Sequence, residues 1–147
     1  MRLEARLARG ILRLEGSTLP GQAFVDELVA SVKKEGFRVL PAGIRFDRAV
    51  EPPDQFVRFF GEFFVGTKAA RLEVDEYRWR LQRDIETIEQ AEAMIGRAAE
   101  IVPEGVALQN QIGVLTPYLS AELRLRRMRT GNWVLAGQFP SLSLIHI

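Results

Sequence analysis

Phe56, Val57, Phe59, Phe60, Phe63 and Phe64 crowd together between Glu51-Pro52-Pro53 and Gly66. A chain carrying such a stretch must find somewhere to bury it. On a helix the six positions fall at i, i+1, i+3, i+4, i+7 and i+8, one wide apolar face. Asp54 can cap its start and Gly66 can end it. Each phenylalanine buried there contributes roughly 1.5–3 kcal/mol, so Phe56, Phe59, Phe60, Phe63 and Phe64 read as the centre of a core. The other reading is a surface laid into a partner groove or a membrane interface. Arg58 and Glu62 are the only charges within that helix, few for a membrane-surface helix.

The whole chain can support such a core. It has 147 residues, 47% hydrophobic and 27% charged, which suits one globular domain with no disulfide or metal staple. The formal net charge of +1 predicts neither nucleic-acid nor membrane binding from the overall field. No apolar stretch reaches the roughly 18 residues of a membrane-spanning helix, and Met1 to Arg6 lacks a signal-peptide core. The expected setting is cytoplasmic.

Spacing then suggests elements. Leu3, Leu7, Ile11 and Leu14 recur at helical intervals, although Leu3, Ala5 and Leu7 also alternate with Arg2, Glu4 and Arg6; helix is the preferred reading. Ser17-Thr18-Leu19-Pro20 reads as a helix start, with Phe24, Val25, Leu28, Val29 and Val32 on one face and Gly36 at its end. Residues 37–46 read as a short hairpin around Pro41-Ala42-Gly43, with Leu72 to Asp75 as a third strand. From Glu76 to Val102 the residues Leu81, Ile85, Ile88, Ile95, Ala99 and Val102 follow a seven-residue repeat. That predicts one long amphipathic helix, interrupted at Glu92. A final helix is expected over Pro117 to Thr130, and a strand from Trp133. No internal repeat is evident.

The last six residues, Leu142-Ser143-Leu144-Ile145-His146-Ile147, are what CTG TCT CTT ATA CAC ATC encodes, the start of a transposase mosaic-end sequencing adapter. The expectation is a native domain over 1–141, cut short at its C-terminus, and an adapter-derived tail over 142–147 from environmental DNA. His146 is the only histidine and there is no cysteine. The native part then holds no histidine- or thiol-based catalysis and no histidine metal site.

Few residues point to chemistry. Arg124, Arg126, Arg127 and Arg129, followed by Asn132 and Trp133, could hold phosphates and stack a base; a solvated helix end is the plainer reading. Glu86, Glu89 and Glu92 share a helix face and read as a solvated surface. No phosphate loop, nucleophile elbow or Cys-x-x-Cys motif is present. No catalytic residue, metal or cofactor is assigned.

The expected fold is α+β and mainly helical: four or five helices, one of them long, with a small antiparallel sheet. An all-α bundle is the alternative. The expected function is a non-catalytic interaction or assembly subunit with a protein partner or homo-oligomer, of a kind a phage or mobile element would also carry. The alternatives are a nucleic-acid-binding accessory protein using Arg124 to Arg129, and the N-terminal fragment of an enzyme whose catalytic residues lie downstream.

Overall fold

The computed structural model describes residues 1–117 and 142–146. It overturns the mainly helical expectation and the all-α alternative. The described residues form a seven-stranded mixed sheet carrying three α-helices. The strands are β1 (Arg2–Ala8), β2 (Ile11–Leu19), β3 (Arg38–Phe46), β4 (Ala69–Val74), β5 (Arg78–Ile85), β6 (Ala107–Pro117) and β7 (Leu142–His146). The helices are α1 (Gln22–Ser31), α2 (Phe56–Phe63) and α3 (Ile88–Ile101). The sheet order is β3-β2-β1-β4-β5-β6-β7.

Residues 2–19 form a hairpin rather than a helix. Leu3, Ala5, Leu7, Leu12 and Leu14 are buried while their neighbours face outward, so the period-two pattern wins over the four-residue spacing. The turn decides it: Arg9 and Gly10 both have positive φ, 54° and 77°, the pattern of a tight two-residue hairpin turn.

The supposed hairpin at 37–46 is a single strand, β3, at the sheet edge and parallel to β2. Pro41 and Gly43 do not turn the chain. The pairing steps from Leu14↔Pro41 to Gly16↔Ile44, so one extra β3 residue is taken up as a bulge. An edge tolerates a proline that donates no ladder hydrogen bond.

The expected long helix at 76–102 breaks into β5 and α3. Trp79, Leu81 and Ile85 are buried at strand spacing. Thr87 then starts α3, its hydroxyl accepting from the Gln90 backbone N–H at 3.1 Å. A hydroxyl cap followed by glutamine three residues on is a helix-start signal. The apparent heptad was two unrelated patterns joined end to end. Residues Leu72 to Val74 do lie in a strand, β4, but its partners are β1 and β5. Glu92, where the heptad faltered, is exposed on α3. The final expected helix and the strand after Trp133 lie outside the described residues, apart from Pro117, which closes β6.

Strand order and direction reveal a duplication that the sequence hides. β1-β2-α1-β3 and β4-β5-α3-β6 have the same connectivity: an antiparallel hairpin, a helix, then a strand parallel to the second. The units meet at the antiparallel β1–β4 pair, where Ala5 faces Leu72 and the pairs Leu3↔Val74 and Leu7↔Ala70 flank it. The two hairpins bury alternate positions with different residues.

The helix layer lies on one side of the sheet. α2 sits between α1 and α3 and supplies the centre of the core. Phe56, Phe59, Phe60, Phe63 and Phe64 are all buried. Phe56 meets the Trp79 ring edge-on at 5.5 Å, and Phe60 meets Phe64 at 5.0 Å; such aromatic pairs add to plain area burial. Gly61 lets α2 approach α1 closely: a Cβ there would stand 3.0 Å from the Ser31 carbonyl oxygen.

The β4–β5 hairpin is held by Asp75, whose carboxylate accepts from the backbone N–H groups of Tyr77 and Arg78 at 2.7 and 2.9 Å. Those bonds keep its pKa below the ordinary aspartate value. An acid depressed in the folded state stabilises above its unfolded pKa and loses that contribution as pH falls through the folded one. Asp75→Ala is therefore expected to cost under about 1 kcal/mol near neutrality. The gap to wild type should be full above about pH 5 and close as pH drops below about 3.9, as read by urea denaturation across pH. A gap that stays constant as pH falls through the acid range would contradict this.

Candidate functional site

Two places stand out, one on each side of the sheet. The first is the side that no described residue covers. Alternation aims Arg2, Glu4, Arg6 and Ala8 outward from β1 and Ala69, Arg71 and Glu73 outward from β4. Cross-strand register then sorts these side chains into rows. Arg13, Arg6, Arg71, Gln82 and Gln111 stand side by side on successive strands from β2 to β6. The next row is Glu15, Glu4, Glu73, Arg80 and Gln109.

Like charges directly opposite one another destabilise a sheet, so each row alone would be unfavourable. Pairs between the rows offset this. Arg71 reaches Glu4 at 2.8 Å and Glu73 at 2.5 Å, and Arg6 reaches Glu4 at 3.2 Å. Arg80 joins Glu73 at 3.5 Å and donates to Gln109 at 3.4 Å. Arg13 and Arg38 have no ion pair among the described residues. Beyond the arginine row, Ala8 and Ala69 floor an open trough of about 700 Å³.

Charge is segregated between the two layers. On the open face Arg2, Arg6, Arg13, Arg38, Arg71, Arg78 and Arg80 outnumber Glu4, Glu15, Glu73 and Asp84. The helix layer leans the other way: Asp26, Glu27, Glu86, Glu89, Glu92 and Glu100 are exposed there, against exposed Lys33, Lys34, Arg58 and Arg97. The near-zero net charge conceals a basic side and an acidic side.

The second place surrounds Arg83. Strand alternation puts it on the core side of β5 between Leu81 and Ile85, where an apolar residue would be expected, and it is 8% exposed. Its Nη1 donates to the Phe63 carbonyl at 2.6 Å and the Val65 carbonyl at 3.0 Å, and its Nε to the Asp84 carbonyl at 3.0 Å. The guanidinium thus closes the C-terminal end of α2, where carbonyls lack helical donors and the dipole favours a cation. Burial pushes its pKa below the usual arginine value, with Asp84 opposing. No carboxylate forms an ion pair with it among the described residues. Beside it opens a cavity of about 740 Å³ between the Val65–Lys68 loop, the end of β5 and α3.

Neither place follows from the sequence-predicted site residues. Arg124, Arg126, Arg127, Arg129 and Trp133 lie outside the described residues. Phe56, Phe59, Phe60, Phe63 and Phe64 are interior and line neither place. Glu86, Glu89 and Glu92 are exposed and are not brought together with any other candidate. A helix expected over 76–102 hides Arg83; an arginine at the third of four alternate positions, Trp79-x-Leu81-x-Arg83-x-Ile85, is the sequence signal that marks it. Among the described residues, no helix is long and apolar enough to cross a membrane. No family model matches the chain, and no curated protein or solved structure matches it either.

Proposed function

We propose that this protein is a non-catalytic assembly subunit whose copies associate through charge, the basic open face of one sheet meeting the acidic helix layer of the next. The observation that carries the reading is the opposite balance of charge on the two sides of one sheet, arginines in excess on the open face and carboxylates in excess on the helix layer. Such unlike surfaces join head to tail, a heterologous contact that closes into rings or runs on as filaments.

A nucleic-acid partner for the same face is less well supported. The glutamate row lies directly beside the arginine row and would repel phosphates. Among the described residues no aromatic side chain stands in those rows to stack a base.

Sedimentation velocity across a salt series tests the proposal. Association is expected at low ionic strength and should fade towards about 0.5 M salt, as surface charges are screened. Arg13→Glu with Arg38→Glu should abolish it, as should Glu89→Lys with Glu92→Lys. Mixing the two double variants should restore it, because each reversed face then meets its reversed counterpart. A protein that stays monomeric at low salt and high concentration would overturn the reading. Retention on heparin or DNA without self-association would favour the polyanion reading instead.

A further inference from the structure

Arg83 does more than close a helix. Nε and Nη1 are occupied by the three carbonyls described above, but Nη2 has no acceptor among the described residues. A guanidinium is a five-donor group that stays charged, and Nη2, unlike the buried and unpartnered Arg71 Nε and Asn110 Oδ1, keeps access to solvent, where an anion can reach it. Arg83 also lines the 740 Å³ cavity, a volume in the usual range for small-molecule sites.

The rest of the lining specifies the ligand. Ile85 and Met94 are buried and Val65 is 51% exposed, which makes one wall apolar. Lys68 stands at the rim and carries no ion pair among the described residues. Arg97 also lines the cavity, but Glu62 already engages it at 2.6 Å. Glu62 and Glu86 line the same space, and Asp84 borders it while its side chain turns to the open face, so a multiply charged phosphate would meet repulsion that a single negative charge largely avoids.

We propose that this cavity binds a monocarboxylate with an unbranched apolar tail, its carboxylate on Arg83 Nη2 and its tail against Val65, Ile85 and Met94. A carboxylate suits the one nitrogen left, because Nη2 still offers its N–H donors and the guanidinium its charge to a singly negative oxygen acceptor. The cavity shares Ala69, Arg83 and Asp84 with the edge of the open-face trough, but binding in it does not require assembly through that face.

Decanoate below its micellar concentration is the probe, titrated into the full chain by calorimetry and by chemical-shift perturbation. Saturable binding at one site is expected, with shifts at Val65, Ile85 and Met94. Decanol should bind at least ten-fold more weakly, because it lacks the charge. Arg83→Met should lose at least ten-fold in affinity. Because that variant also removes the α2 closure and can unfold the chain, Ala93→Trp serves as the second variant: Ala93 is exposed on α3 and lines the cavity, so indole fills the space and should abolish binding while the fold persists. No binding of decanoate by wild type at millimolar concentration overturns the proposal. So does binding of decanol and decanoate with equal affinity, or multi-site binding that Ala93→Trp leaves unchanged.

Discussion

Phe60→Ala is expected to cost about 3–5 kcal/mol in chemical denaturation, a large share of the roughly 5–15 kcal/mol that holds a domain of this kind together. Phe60 is fully buried, with the Phe56 ring at 6.3 Å and the Phe64 ring at 5.0 Å. Truncation removes the transfer free energy of the ring and leaves a void. The neighbouring rings cannot collapse into it readily, because Phe56 is also held by Phe24 at 6.0 Å and Trp79 at 5.5 Å. Arg58→Ala on the same helix is the control. Its ion pair to Glu62 is 3.6 Å long and the Arg58 side chain is 77% exposed, so the change should lie within about 0.5 kcal/mol. Equal effects from the two substitutions would mean that α2 does not face the core as described.

Arg83→Met should cost about 2–4 kcal/mol, and the sign is the informative part. Two effects compete. Methionine escapes the desolvation penalty of a buried charge, and replacing buried ionic groups with well-packed apolar ones can stabilise a protein. Against this, the carbonyls of Phe63 and Val65 lose their donor at the end of α2 and methionine offers none. With three hydrogen bonds lost from a guanidinium that no carboxylate pairs among the described residues, the unmade bonds should win. Arg71→Met makes a useful comparison, because its partners Glu4 and Glu73 lie on the open face. There the loss should stay below about 1 kcal/mol. A more stable Arg83→Met protein would show that the guanidinium is tolerated rather than required.

Legibility in the sequence followed the physics of each segment. The helix around Phe60 and the helix over Phe24 to Leu28 were readable because their apolar residues fit one period only. Gly36 ends the second region as expected, with φ 76°, after a 3-10 turn at Lys33–Glu35. Ser17 and Thr18, read as its start, belong to β2. Where two periods fit, the wrong one was preferred: Leu3 to Leu14 satisfies both, and Leu81 to Ile88 joins a strand to a helix without breaking the repeat. Thr87 with Gln90 and Arg9 with Gly10 carried the deciding information as cap and turn chemistry. The candidate sites were less legible than the fold. The arginine and glutamate rows exist only through register between β1, β2 and β4, which no single segment encodes, and net charge averages the two sides away.

The N-terminal segment pairs with β4 at the middle of a sheet whose helices lie on one side. Backbone nuclear Overhauser contacts read that pairing. The structure requires cross-strand contacts between Ala5 and Leu72, flanked by Leu3 with Val74 and Leu7 with Ala70. A continuous run of i to i+3 contacts from Leu3 to Leu14, with none between Ala5 and Leu72, would contradict it.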